Sequence, residues 1–300
     1  MPECRKCNIG GQAVFEGVMM RSKNFWSLAV RRPDKSISTN VYNATPVAKK
    51  YPLLGWPFIR GTVSLVENMS IGFKALSFSV NEATEEEVKF SKKEFAISIV
   101  LAVIFTVGIF FVLPTIIGRS FSANIGSSIL YNLLEGLIRI GFFFAYIVVI
   151  SLLKDVKRLF QYHGAEHKTI QAYEHFEDLD VEKIKKYGRL HVRCGTNFLL
   201  VVMVVAIFVF AVLGKPPIYL RILSRIVLIP LIAGISYELI RIAGKFSKSK
   251  FINIIFFPGL LLQKLTTREP DDDQIEVALA SFEKVLEAEE NLEKGNTTDG

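Results

Sequence analysis

Phe95-Ala96-Ile97-Ser98-Ile99-Val100-Leu101-Ala102-Val103-Ile104-Phe105-Thr106-Val107-Gly108-Ile109-Phe110-Phe111-Val112-Leu113-Pro114-Thr115-Ile116-Ile117-Gly118 is a run of 24 residues without a charge. At about 1.5 Å per residue a helix of that length reaches roughly 36 Å, enough to cross the ~30 Å hydrocarbon layer of a bilayer. Three further apolar runs follow it. Ile129–Leu153 carries Glu135 and Arg139, Asn197–Gly214 is uncharged over 18 residues, and Tyr219–Ile240 holds Arg221 and Arg225 near its start and Glu238 near its end. Half of the 300 residues are hydrophobic and mean hydropathy is +0.34, which a soluble protein of one or two domains rarely shows. The expected fold is a mainly α, polytopic membrane protein with about four spans, at 95–118, 129–153, 197–214 and 219–240. Glu135, Arg139, Arg221 and Arg225 read as an intramembrane ion-pair network that holds the bundle, the other reading being a permeation or lipid-headgroup site.

Charge orients these spans. Nine Lys or Arg lie between 154 and 196 and four between 241 and 250, whereas the 118–129 and 214–219 connections hold one each. By the positive-inside rule the 154–196 loop and both termini are cytoplasmic. The net charge of +7 conceals a split: residues 269–300 have eleven acids against two lysines, a net of −9, so residues 1–268 carry +16. A basic body beside apolar spans points to anionic lipid as partner and not to nucleic acid. Met1 to Gly11 is polar and no apolar segment follows it, so no secretory signal is expected. Three cysteines, Cys4, Cys7 and Cys194, suggest a reducing compartment or metal binding.

The remaining segments divide as 1–51, 52–94 and 268–300 around the 95–267 bundle. Ser27–Val41 alternates weakly about Pro33-Asp34-Lys35, which predicts a β-hairpin in a small cytosolic part. Glycines flank the stretch from Gly10 to Arg21, so it reads as a loop or short strand whose backbone approaches something closely. Pro52–Val80 is apolar but broken by Pro and Gly, and Arg60, Glu67 and Lys74 recur every seven residues. A helix lying in the membrane interface, or packed against the bundle, is expected there. Asn81–Glu94 reads as a solvated connector. Phe251–Leu262, 12 residues with Pro258-Gly259 inside, is too short to span and is expected to be re-entrant or interfacial. Behind Pro270-Asp271-Asp272-Asp273, a helix start, Ile275, Leu279, Phe282 and Leu286 form an apolar stripe that docks on the cytosolic part or on another subunit.

Chemistry concentrates in Tyr162-His163-Gly164-Ala165-Glu166-His167-Lys168, which carries the reversed zincin pattern H-x-x-E-H. On a helix His163, His167 and Glu174 fall at roughly 0°, 40° and 20°. Two imidazoles and a carboxylate on one face make a three-ligand set for a divalent metal, zinc by donor type, with Glu166 beside them as general base. All four histidines, His163, His167, His175 and His191, lie in one 29-residue window, whereas histidines placed for packing would scatter. The bland alternative is a polar helix whose histidines pair with Glu174, Glu177, Asp178 and Asp180. His191 and Cys194 either complete the coordination, set a nucleophilic Cys194 beside a base, or form an ordinary turn in which Arg193 meets lipid phosphate. Cys4-x-x-Cys7 with His191-x-x-Cys194 would instead make a closed structural zinc site. Glu16, Glu238 and Arg241 are further candidates, the last two at the cytoplasmic end of the fourth span unless they simply pair with each other.

Gly10-Gly11-Gln12-Ala13-Val14 with Glu16-Gly17-Val18-Met19-Met20-Arg21, the 162–168 run, His191–Thr196, and Thr266-Thr267 before Glu269-Pro270-Asp271-Asp272 together resemble the YqhQ-like family of bacterial membrane proteins. The resemblance spans nearly the full length on four separate motifs. It implies a bacterial cytoplasmic membrane and a suspected metal, and it implies no defined reaction. Phe15 and Val192 depart from the pattern, and Cys4 and Cys7 are not carried over as family features.

The expected function is a metal-dependent hydrolase at the cytoplasmic face, acting on a peptide or a lipid headgroup. The metal on His163, His167 and Glu174 would polarise a water and Glu166 would take its proton. His191 would be an alternative third ligand or an oxyanion stabiliser, and Arg193 an anchor for an anionic group. A second class is non-enzymatic: a metal-stabilised scaffold whose acidic tail and 52–80 helix bind a partner protein or a second copy. A conducting role finds little polar lining, because the first and third spans carry no charge.

Overall fold

The structure, a computed structural model, describes residues 9–44, 46–47, 51–84, 92–121, 125–175, 178–191, 194–214, 216–245 and 250–298. Cys4, Cys7, Glu177 and Arg193 lie outside the described residues.

Four antiparallel strands come first, β1 (Gly10–Val14), β2 (Gly17–Arg21), β3 (Phe25–Arg31) and β4 (Ile37–Asn43), in the order β1-β2-β3-β4. The expected hairpin is present as β3 and β4. Arg31 stands opposite Ile37, and Lys35 in the turn takes φ 69°. Asp34 stiffens that turn by accepting the Ser36 N–H at 2.9 Å. The glycine-flanked stretch before it forms a second hairpin, with Val14 opposite Gly17 and Glu16 at φ 50° in the two-residue loop. A side chain at Gly17 would meet the Ala29 carbonyl at 2.4 Å, which fixes glycine there. Alternation is weak because both faces are covered. Met19, Trp26, Leu28 and Val30 pack toward helix α1 (Ile59–Ala83), and Val18, Met20 and Ala29 pack into a second core on the opposite face.

The 24-residue run forms α2 (Lys92–Val107) and α3 (Leu113–Ser120), joined by a π segment at Gly108–Val112. The Phe110 carbonyl in that segment accepts Arg139 Nε at 2.8 Å. Next come α4 (Ser128–Ile150), α5 (Lys154–Glu174), the single turn α6 (Val181–Ile184), α7 (Gly195–Val212), α8 (Ile218–Val227), α9 (Ile229–Lys245), α10 (Lys250–Thr266) and α11 (Asp272–Thr298). Among the described residues, three helical stretches are long and apolar enough to cross a membrane: Ala96–Ser120, α4 and α7. A fourth results if α8 and α9 count as one.

Several boundaries differ from expectation. The 219–240 run is not one straight helix: α8 and α9 meet at a 46° bend beside Pro230, which has no N–H to continue the ladder. The 251–262 segment belongs to α10, a 17-residue helix that runs through Pro258. Interfacial placement was one of two expectations for 52–80; its helix packs its first half on α9. There a side chain at Gly61 would meet Tyr237 Cβ at 2.6 Å, and one at Gly234 would meet the Phe58 carbonyl at 2.2 Å.

The charged groups within the bundle form a network. Glu135 Oε1 accepts from Arg139, Arg225 and Thr115 at 3.1 Å each, while Arg225 also reaches Asn132 Oδ1 and Arg221 reaches the Tyr131 hydroxyl. All four ionic groups are buried.

At the start of helix α11, Gln274 Oε1 accepts the Asp271 N–H at 2.9 Å. Ile275, Phe282 and Val285 are buried in the core that also holds Val18, Met20 and Ala29, together with Tyr162, Ala165 and Ile170 of α5. The tail's apolar stripe is therefore covered within the chain. Glu289 fastens its far end by accepting both the backbone N–H and the side-chain amide of Asn24 at 2.8 and 2.9 Å. Strands, histidine helix and tail helix, far apart in sequence, share this one core.

Candidate metal centre

Helix α5 is buried from Tyr162 to Tyr173 except at His163 and Gln171, because strands, α11 and the chain after α10 all press on it. The close approach requires Gly164, where a Cβ would stand 2.1 Å from the Arg268 carbonyl. That contact lays residues 266–268 along the helix, and the Arg268 N–H donates to the Phe160 carbonyl at 2.8 Å. On the other flank the 188–191 segment is held by Gln171, whose amide donates to the carbonyls of Gly188 and Leu190 at 2.7 and 3.0 Å.

Both flanks end on a histidine. His163 Nδ1 lies 2.8 Å from the Thr266 carbonyl and His167 Nδ1 lies 2.6 Å from the Arg189 carbonyl. A carbonyl only accepts, so each Nδ1 carries the proton and each Nε2 is left with a lone pair. This is the outer-shell pattern of metal-binding histidines. His163 Nε2 faces Cys194 Sγ at 3.2 Å, and the two rings stand 4.4 Å apart. Cys194 caps α7, its sulfur accepting the Thr196 N–H at 3.4 Å. One ligand atom from each of His163, His167 and Cys194 lies within 4.8 Å of the other two. In a tetrahedral zinc site such atoms stand roughly 3.3–3.6 Å apart, given Zn–N of about 2.0 Å and Zn–S of about 2.3 Å. Two imidazoles and a thiolate suit zinc, and a small inward movement of these side chains closes the set.

The three donors border a cavity of about 110 Å³, with Glu166, His191, Ile9, Gly10 and Gly11 also on its walls. Glu166 is 5% exposed. Burial pushes its carboxyl up to about 7, opposed by nearby His163 and by the Gly11 N–H. Burial likewise holds His167 well below the usual histidine range, brings His191 down to about 4, and raises the Cys194 thiol. At neutral pH burial thus favours the uncharged form of His167 and His191.

The other sequence candidates fall elsewhere. Glu174 does not join His163 and His167: its carboxylate is 3.2 Å from His191 Nε2. It shares their angle on the helix but stands seven residues further along, a rise of roughly 10 Å from His167. His191 lines the cavity, but its Nε2 is turned to Glu174, so it is not one of the three converging donors. Cys194, and not Glu174, is the third such side chain beside the two imidazoles. His175 packs on Tyr187 at 5.2 Å, away from the cavity. Glu16 pairs with Arg158 and accepts the Tyr162 hydroxyl at 3.1 Å, pinning the β1–β2 loop to α5. Glu238 forms a two-pronged pair with Arg60 at 2.7 and 2.5 Å, and Arg241 stands 4.0 Å from it. These groups hold α1 to α9, and none of them lines the cavity.

Two supporting residues escaped the sequence reading. Gln263 clamps His191 by accepting its N–H and donating to its carbonyl, both at 2.8 Å, and also reaches Asn197 Oδ1 at 3.2 Å. Both are single amides at the ends of apolar runs, where an unpaired amide would be costly. That is the signal that could have found them.

Comparison with known proteins bears out the family resemblance. The profile of a family described as "protein of unknown function (DUF1385)" matches residues 56–288. The "Uncharacterized protein YqhQ" of Bacillus subtilis (strain 168) is 35% identical over 298 residues, covering 93% of this chain and 92% of the relative. No solved structure matches. The chain therefore belongs to the DUF1385 family, alongside the YqhQ protein of Bacillus subtilis.

Proposed function

We propose that this protein is a multi-pass protein of the bacterial cytoplasmic membrane, with both termini in the cytoplasm. In this reading it hydrolyses a peptide or lipid-headgroup substrate at one divalent metal held by His163, His167 and Cys194. One observation carries the proposal: two imidazoles with Nδ1 tied to carbonyls, a thiol and a buried carboxylate converge on one small cavity. The apolar helices and the nine basic residues of the 154–196 segment support the location.

When bound, an ion such as zinc supplies Lewis acidity to a water and to a carbonyl or phosphoryl oxygen. The carbonyls of Thr266 and Arg189 hold His163 and His167 in the tautomer that points Nε2 inward. Glu166, poised near neutrality, takes a proton from the attacking water and returns it to the leaving group. His191, neutral and steadied by Glu174, offers a polar wall beside the reacting atoms. Arg193, next to Cys194 in sequence, anchors an anionic part of the substrate. A cavity of about 110 Å³ is smaller than the roughly 300–1,000 Å³ of typical ligand pockets. The substrate therefore enters by one end, and β1 must shift to admit anything larger.

That closure by β1 favours a second reading, a metal-stabilised membrane scaffold whose exposed tail surface binds a partner protein or a second copy. Elemental analysis of the purified protein tests the shared premise. Wild type should carry one divalent ion per chain, and the double variant His163→Ala, His167→Ala should carry none; stoichiometric metal in both would overturn the assignment. Glu166→Gln then separates the two classes. An enzyme keeps its metal and fails to complement a strain lacking the protein, whereas a scaffold complements.

A further inference from the structure

An apolar surface outside the spanning helices runs along the chain from 51 to 76. Leu53, Trp56, Val66 and Met69 are each more than half exposed there, at 67, 60, 61 and 52%. Contiguous exposure of this kind marks a surface with an occupant. Along α1 it continues as an open, shallow groove of about 750 Å³ lined by Val66, Met69, Ser70 and Phe73. The groove ends at Lys74 and Phe78, which also wall a second hollow of about 420 Å³. In that hollow Trp26 and Tyr42 stack with ring centroids 4.3 Å apart, and Asn43 adds an amide. The nearby carboxylate of Glu82 is taken by Arg32 at 2.6 Å. A long apolar trough that leads to one ammonium and a polar aromatic end has the outline of an amphiphile.

Two observations choose lipid over a protein partner. The first half of α1 packs on α9, half of a bent apolar pair, so the trough continues the surface that faces lipid in the reading proposed above, on which this inference rests. The cation sits at the end remote from that bundle contact, where a headgroup phosphate would lie. We propose that one anionic phospholipid of the cytoplasmic leaflet seats here. Its acyl chain lies along Val66, Met69 and Phe73, its phosphate meets Lys74 Nζ, and the Trp26–Tyr42 stack closes the headgroup end. The seat is one strand from the centre. Gly72 on the inner side of α1 abuts the Gln12 side chain of β1, and the neighbouring Gly11 abuts Glu166.

The chain has two tryptophans, Trp26 and Trp56, so Trp56→Phe leaves the emitter inside the seat. Dibrominated phosphatidylglycerol titrated into the detergent-solubilised full-length variant should quench that emission saturably. Lys74→Glu on the same background should weaken the apparent affinity about tenfold or more, since it turns an attraction into a repulsion. Met69→Asp, at an exposed position, should abolish saturable quenching with helix content unchanged. Quenching that never saturates, or that both substitutions leave intact, overturns the seat. So does photocrosslinking at Met69 to a partner's apolar helix when brominated lipid gives no quench. Metal content is read on the same samples: metal present without quenching sinks the seat alone, and quenching without metal upholds the seat while sinking the centre. Release of wild-type protein from membranes by alkaline carbonate would show instead that the membrane reading itself had failed.

Discussion

Replacing Gly11 with alanine, with Gly10→Ala as its control, probes how tightly β1 closes over the centre. A Cβ at Gly11 would stand 2.8 Å from Glu166 Cγ, 2.9 Å from Glu166 Cδ and 2.8 Å from the Met19 carbonyl oxygen. Ordinary carbon contacts are about 3.5–4.0 Å, so the methyl is roughly 0.7 Å or more too close on two sides. The carbonyl belongs to the β1–β2 ladder and cannot retreat cheaply, and Glu166 is buried. Overpacking of this kind costs about 1–3 kcal/mol. At Gly10 a Cβ meets nothing within 4 Å. Both alanines stiffen the unfolded chain by the same small amount, about 0.4–1 kcal/mol, so the difference between the two variants isolates the clash. Thermal unfolding of the metal-free protein in detergent should place Gly11→Ala below Gly10→Ala by that 1–3 kcal/mol. Metal stoichiometry should stay at wild-type level in both, because the atoms nearest a Cβ at Gly11 are those of Glu166 and Met19 and a Cβ at Gly10 meets nothing within 4 Å. Equal midpoints would refute the packing of β1 on Glu166, and loss of metal in Gly11→Ala would mean that Glu166 belongs to the ligand set.

The buried ionisable groups predict opposing pH effects in metal-stripped protein. The Glu166 carboxyl is held up to about 7 against 4.5, so it contributes a stability that fades as pH rises from about 4.5 to 7. The advantage of Glu166→Gln over wild type should therefore widen between pH 5 and pH 8, and a constant gap would count against its burial. His191, brought down to about 4 from 6.5, acts in the other sense: its share of stability is present above about 6.5 and is lost as pH falls toward 4. Denaturant titrations of His191→Gln against wild type at pH 7.5 and 5 should show the gap shrink at the lower value. Glu135→Gln leaves Arg139 and Arg225 buried without their shared carboxylate and should cost about 3–5 kcal/mol, read as a lowered melting temperature in detergent. Glu289→Ala removes the carboxylate that two Asn24 donors share, a loss of about 1–3 kcal/mol that limited proteolysis should reveal as faster cleavage of the tail.

Features that depend on near neighbours were legible along the chain. The 95–118 run read as helix from its length and lack of charge. The β3–β4 hairpin read from the turn at Pro33-Asp34-Lys35, and the tail helix from its 3–4 stripe and acidic cap. The H-x-x-E-H helix also read correctly as a place, since two histidines one turn apart must share a face. The third side chain near them did not: Cys194, and not Glu174, stands beside the two imidazoles. A helical wheel keeps angle and discards height, so Glu174 looked adjacent while standing about 10 Å along the axis from His167.

What the sequence determined by itself was therefore local: helix and hairpin identity, the apolar runs, and the pairing of His163 with His167. Only the tertiary structure decided which distant residues come to them. Gly164 lets the chain at Arg268 lie on α5, which brings the Thr266 carbonyl to His163. Gln263 holds the His191 backbone, and the start of α7 carries Cys194 to the imidazoles. Each of these contacts joins segments between 30 and about 100 residues apart, and their closeness is set by how the helices and the sheet pack. No spacing in the sequence records that, because packing depends on surfaces from several elements meeting at once.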